Sequence, residues 1–329
     1  MIINIKSALM FCGILLITGC GQEVINISQL EERDGLNYLV RKEKPFSGKI
    51  SDHYSNGQKK IEANFKNGTL EGLWTSWYVN GQKEKEGEYK KGKQQIGWSF
   101  WTHDGIVQGQ VKDNDGNIYP TIKICDQEWM SENLNVRTYQ NGDIIAHISD
   151  SKDWAASTVG AWSNYENRSL NGVIYGKLYN LYAVLDHRGL APKGWHIASD
   201  ADWITLEMCI GMDQSNAEQV GWRGTSEGEK LKKRVALGVT SIDMYVSNES
   251  GFSALLGGIR SSTGRYEGID QMCCFWTSTE YNGGGVWRTM LNSTHSILRN
   301  GGKNMAIDEQ ENRIVIMNTK GFSVRCVKD

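Results

Sequence analysis

The sequence predicts an α+β chain, in which a sheet of N-terminal β-hairpin repeats precedes a mixed domain with two helices in front and mostly antiparallel strands behind. Three observations predict it. A 24-residue pattern recurs between about 46 and 107, two segments between 178 and 210 carry apolar residues at helical spacing, and from about 252 short apolar runs alternate with glycine-rich turns. Composition agrees: 37 Gly and 12 Trp against 3 Pro suit turn-dense β-structure with aromatic packing.

Residues 1–19 read as an export signal: Lys6, then an apolar stretch too short to span a bilayer, then small residues. Ile17-Thr18-Gly19-Cys20 resembles the bacterial lipoprotein box, which implies that Cys20 is lipidated and becomes the first residue of the mature chain. Acyl chains contribute about 0.8 kcal/mol per buried methylene, so several on one cysteine hold a protein on a membrane. Gly21 stands where an aspartate often means inner-membrane retention, so the expected location is the cell envelope, at the outer membrane. No later segment approaches the roughly 20 apolar residues that cross a bilayer. Loss of residues 1–19 removes one positive charge, Lys6, from a formal net charge of −2. A near-neutral chain with no long basic run excludes nucleic acid as the main partner. Residues 20–45, rich in Glu and Arg without a clear period, are expected to be a tether.

The repeats occupy 46–110. Asn56-Gly57-Gln58-Lys59 returns as Asn80-Gly81-Gln82-Lys83, Asp104-Gly105 falls 24 residues further on, Trp74 and Trp77 return as Trp98 and Trp101, and Asn67-Gly68 returns as Lys91-Gly92. Asn-Gly supplies the positive φ angles of a tight turn, and Ile61, Ala63 and Phe65 alternate with Lys60, Glu62 and Asn64, so each unit is a β-hairpin with one apolar face. A lone hairpin is marginal in water, so the units must stack on one another. Lys83-Glu84-Lys85-Glu86 reads as a solvated face. Glu71-Gly72-Leu73-Trp74, Trp77-Tyr78 and Asn80-Gly81 resemble MORN-variant repeats, which implies an interaction surface, although Gly72 lacks a counterpart in register because Ile96-Gly97 is shifted by one.

The second domain spans 113–329. Its opening turn, Asp113-Asn114-Asp115-Gly116-Asn117, has calcium-loop acids but Ile118 and Ile124 where an EF-hand needs Gly and Glu, so a hairpin turn explains it. Tyr119–Ile124 alternates as a strand. Leu178, Leu181, Tyr182 and Leu185 predict one helix, and Ser199 with Asp202 caps a second that carries Trp203, Leu206 and Ile210. Strands are expected over Phe252–Leu256, Phe275–Thr279, Val286–Leu291, Arg313–Met317 and Phe322–Val327. Beyond Cys12 and Cys20 remain Cys125, Cys209, Cys273, Cys274 and Cys326, an odd number that leaves at least one unpaired within the chain. Cys273 and Cys274 either bridge each other in a strained ring or are buried strand residues, with at most one of them bonded elsewhere.

Tyr175-Gly176-Lys177-Leu178-Tyr179-Asn180, Gly189 through His196, Ser199 through Trp203, Gly251 through Leu255, Trp276 through Glu280 and Gly321 through Val327 resemble, in order, the Fibrobacter succinogenes major paralogous domain. The resemblance covers about 113–329. It implies a fold similar to C-type lectins and to the formylglycine-generating enzyme group, and no established activity. Ala198 stands where the family usually has proline, and Ser163 where relatives often carry cysteine, which would leave one thiol without its partner.

The expected function is an envelope-anchored lipoprotein displaying a non-catalytic ligand-binding head, for polysaccharide or a surface protein, with membrane contact through Cys20. Trp276, Trp287 and Glu280 form the candidate ligand surface, because flat rings stack on sugars. The alternative is a structural lipoprotein whose repeats serve as spacer or docking surface. An oxidase like the formylglycine-generating enzymes needs paired reactive cysteines shortly before the last strand, and residues 282–325 hold none. The six His show no metal-ligand spacing, and His196 reads as packed or hydrogen-bonded, so no catalytic residue, metal or cofactor is expected.

Overall fold

The computed structural model describes residues 24–102, 109–233, 247–281, 283–301, 305–308 and 313–329, so Cys20 with the apolar run before it and Asp104-Gly105 lie outside the described residues. The repeats form one antiparallel sheet, Gly48–His53, Lys59–Lys66, Thr69–Trp77 and Lys83–Lys90 in sequence order. Asn67-Gly68 and Lys91-Gly92 are its two-residue turns, with φ of 49° and 79°, and 50° and 73°. Positive φ at both central residues is the type I′ geometry that matches strand twist. At the other end, Asn56 and Asn80 each accept, through Oδ1, the N–H two residues on at 3.0 Å. The period itself has a bond: the Tyr54 hydroxyl donates to the Trp77 carbonyl, and the Tyr78 hydroxyl to the Trp101 carbonyl, both at 2.7 Å. Each unit is thereby latched to the next.

Ile61, Ala63 and Phe65 are buried as their alternation predicts, together with Trp74, Tyr89, Trp98 and Phe100. Trp98 meets Tyr89 edge-on at 5.3 Å and lies against the bare backbone of Gly87, where an added Cβ would sit 2.3 Å from the indole. Gly87→Ala is therefore expected to expel Trp98 and destabilise the sheet by about 1–3 kcal/mol, read as a lower urea midpoint with a red-shifted tryptophan emission.

Three expectations for this half are corrected. The tether contains a hairpin, Leu30–Arg33 on Leu36–Leu39, turning at Asp34-Gly35 and burying Leu30 in the repeat core. Its four-residue strands are too short to show a period. The Lys83–Glu86 run is no solvated face: Lys85 is buried and pairs with Glu132 at 2.7 Å, and Glu84 pairs with Lys233. Nor does the sheet hold the second domain at a distance. Ile118 and Leu170 belong to the repeat core, and Gln94 Oε1 accepts the Ile118 N–H at 2.7 Å.

In the second domain, Ile118–Ile124 and Gln127–Met130 form a five-stranded sheet with Gly109–Lys112, Trp195–Ile197 and the C-terminal strand Cys326–Lys328, which closes the domain between its first strands and Trp195–Ile197. The turn after Asp113 joins Gly109–Lys112 to Ile118–Ile124 as a hairpin. A second sheet centres on Met272–Tyr281 and Gly284–Leu291. Alternation sends Cys273 and Phe275 into one core and Cys274 and Trp276 into the other, so both faces of the strand are covered over Cys273–Trp276. Cys125 bonds Cys209, while Cys273, Cys274 and Cys326 are free and buried.

The helix Asp200–Cys209 starts at Ser199 with the expected capping box, Ser199 Oγ and the Asp202 carboxylate each accepting the other's backbone N–H, and buries Trp203 and Leu206. The expected helix through Leu178–Leu185 is shorter, Leu181–Val184, because Leu178–Tyr179 pairs with Ala161–Ser163 and Asn180 caps the turn that follows. Phe252–Leu256 forms no strand. The carbonyls of Phe252 and Ser253 are taken by the buried guanidinium of Arg325 at 2.8 and 3.0 Å, which replaces a strand neighbour with a side chain. The strand begins later, at Gly257–Arg260.

Candidate functional site

Trp276 and Trp287 are not a ligand surface. They are 1% and 5% exposed, and the Trp276 indole donates to the Tyr179 carbonyl at 3.0 Å and packs 4.5 Å from Phe322. Strand alternation leads outward only when one face of a sheet is wet, and here neither is. Glu280 is exposed, but a register shift between Trp276 and Glu280 separates it from both rings. His196 is held between Asp329 and Asp202 at 2.8 and 3.1 Å. Burial lowers its pKa and the two carboxylates more than reverse this, so the net shift is upward. Burial pushes the Cys273 and Cys274 thiols up to about 12, which leaves no thiolate there. Ser163 is fully buried beside Leu178.

The structure gathers polar side chains elsewhere, in a cleft of about 320 Å³ between the turn end of the repeat sheet and the second domain. That volume falls within the range of small-ligand sites. One wall is made by Gly35, Asn37 and the two repeat turns with Lys91, Lys93 and Gln94. Asp115–Asn117, Asn135, Arg137, Trp162, Asn164, Ser169, Leu170, Gly172, Val173 and Lys177 make the other. A second hollow, beside Tyr54, Trp74 and Lys85, is about 50 Å³, room for a few water molecules.

Lys177 is the unusual group. Gly176 (φ 75°) ends the helix Ser169–Tyr175 and turns the chain so that the next side chain is buried. Its ammonium donates to the Asn135 carbonyl at 3.0 Å and to Asn135 Oδ1, and it lies 4.6 Å from the Trp162 ring centroid. No carboxylate pairs with it among the described residues. Burial, with Arg137 adding to it, pulls its pKa down to about 7. Trp162 stacks on His147 at 4.2 Å and anchors its indole N–H on the Ile145 carbonyl.

Asn164 is the second. It is 8% exposed, and its Oδ1 accepts no hydrogen bond from the protein. A Cβ at Gly172 would stand 2.2 Å from that oxygen, so glycine is what leaves it room. The lone acid in the cleft, Asp115, is committed to its own loop: it accepts the Arg137 backbone N–H and, at 2.8 Å, the Thr138 hydroxyl, while the Arg137 Nε stays 3.9 Å away. Lys91, Lys93 and Arg137, with the Lys177 amine behind them, therefore face one engaged carboxylate.

The sequence held partial signals of this place, since Lys177 stands in the Tyr175–Asn180 block and the turn glycines recur, but nothing local joined them. Residues 122–328 match the family model described as the Fibrobacter succinogenes major domain. No curated protein and no solved structure gives a significant match.

Proposed function

The chain belongs to the Fibrobacter succinogenes major domain family, and on that footing we propose that it is an envelope lipoprotein, anchored through Cys20 at the outer membrane, that presents a non-catalytic binding cleft to polysaccharide. The cleft between repeat turns and second domain is the observation that carries this reading. The lipoprotein-box resemblance supports the anchor. Among the described residues no helix is long and apolar enough to cross a membrane. The MORN-variant and C-type-lectin-like resemblances support a binding role. The inert thiols and the carboxylate-bound His196 support the absence of catalysis. On the alternative reading, in which the repeats dock another envelope protein, their Lys85 and Glu84 are already engaged by the chain's own second domain.

Two measurements test this. Cys20→Ala is expected to move the protein from the membrane to the soluble fraction, and a variant that stays with the membrane ends the anchor reading. A glycan array probed with residues 20–329 is expected to show binding that Gly172→Ala abolishes, because the new methyl displaces Asn164. Binding unchanged by Gly172→Ala would place the ligand outside the cleft.

A further inference from the structure

We infer that the ligand of this cleft is an acidic saccharide, its anionic group held among Lys91, Lys93, Arg137 and Lys177 and one of its hydroxyls donating to Asn164 Oδ1. The inference rests on the proposed reading of the cleft as the binding site and adds the ligand's charge. Lys91 and Lys93 are exposed on the repeat side. Arg137, with a side chain 53% exposed, stands on the other wall, and the terminal nitrogens of its guanidinium have no protein partner among the described residues. An anion between these walls meets cations from both.

Lys177 extends the same argument inward. Two of its three N–H groups are used on Asn135, and a buried ammonium without a carboxylate leaves charge uncompensated. A neutral sugar would add to that burial without offsetting it, whereas an anion supplies the missing countercharge. Asn164 Oδ1 adds a different requirement. A buried acceptor without a donor costs about 1–3 kcal/mol, and a simple carboxylate or sulfate ion has no hydrogen to give it. The pair of demands, an anionic group and a hydroxyl donor on one small molecule, is the chemistry of a uronate or a phosphorylated sugar. A nucleotide base finds no free ring on which to stack, because Trp162 is already covered by His147 and approached by Lys177.

Calorimetric titration of residues 20–329 with a galacturonate trisaccharide, glucose 6-phosphate and neutral maltotriose distinguishes the cases. At least one of the two anionic sugars is expected to bind about tenfold or more tightly than maltotriose, by about 1.4 kcal/mol. The difference should shrink at high salt, as charge contacts at a partly exposed site do. The exposed variants Lys93→Gln and Arg137→Gln, which leave the core untouched, are each expected to weaken anionic binding severalfold, and Asn164→Asp to weaken it more by setting a carboxylate against the ligand. Equal binding of maltotriose and the acidic sugars overturns the charge inference while leaving the cleft as a saccharide site. Binding of no sugar overturns both, and acidic-sugar binding indifferent to all three substitutions overturns the assigned place.

Discussion

Glu207→Ala is expected to destabilise the second domain by about 3–5 kcal/mol, the cost of removing one partner from a buried ion pair. Glu207 is fully buried and is gripped by Arg223 at 2.7 and 3.2 Å and by the Arg288 Nε at 2.7 Å. Arg288 continues to Asp200 at 2.7 Å, and Arg299 closes on the same carboxylate at 2.5 and 3.0 Å. Three guanidiniums thus share two carboxylates, and losing Glu207 leaves Arg223 buried without a carboxylate and Arg288 with Asp200 alone. Urea unfolding followed by circular dichroism measures the loss. The pair Glu207→Leu with Arg223→Met should be less damaging than Glu207→Ala alone, because it removes a charge along with its partner. A double variant as unstable as the single one would mean that volume rather than charge dominates. The network also fixes an acid limit. Burial raises the Asp200 pKa and Arg299 and Arg288 more than offset it, leaving it below its ordinary value. Its contribution is present above the unfolded carboxylate pKa and is lost as pH falls through the lowered folded value.

Lys177→Met is expected to act in the opposite direction, raising stability by about 1–4 kcal/mol near pH 6, the range for replacing a buried ionic group with an apolar one, while removing the cleft's inner cation. In the native protein burial pulls this amine from its ordinary 10.5 to about 7. Between those values the unfolded chain carries a proton that the folded chain lacks, so Lys177 makes stability rise with pH across that window. Below the folded value the full cost of the buried charge is present. The gain in the methionine variant should therefore be largest near pH 6 and shrink toward pH 10. Denaturant midpoints of both proteins at the two ends of the window measure it. Parallel profiles would show that the amine is not held out of its ordinary range. A residue whose removal stabilises the fold and weakens ligand binding marks a stability–function trade-off.

The parts of the fold that could be read from sequence are those fixed by neighbours along the chain. Ile61, Ala63 and Phe65 alternate beside Asn67-Gly68, and Ser199 with Asp202 states a helix start within four residues. What failed needed knowledge of what lies across a sheet. Trp276 alternates like a half-exposed residue, yet both faces of its strand are covered there. Lys85 sits in a run that looks solvated and is buried only because Glu132, 47 residues later, comes to meet it. Phe252–Leu256 has strand composition, but Arg325, more than 70 residues away, takes its carbonyls. The cleft is the extreme case, since Lys91, Arg137, Asn164 and Lys177 share no local pattern, and an unpaired lysine reads the same in sequence whether it is wet or buried.

The hydroxyl-to-carbonyl latch of the repeats carries a consequence for how this protein can change size. Tyr54 and Tyr78 each reach a tryptophan carbonyl 23 residues ahead, so an insertion preserves the bonding only if it supplies a whole unit with its own tyrosine, turn and tryptophan. Each unit adds two strands, about 10 Å of sheet width, and one more turn to the row that faces the cleft. The sheet is in effect a ruler graduated in hairpins, and the length of the cleft's repeat wall is counted out in those graduations.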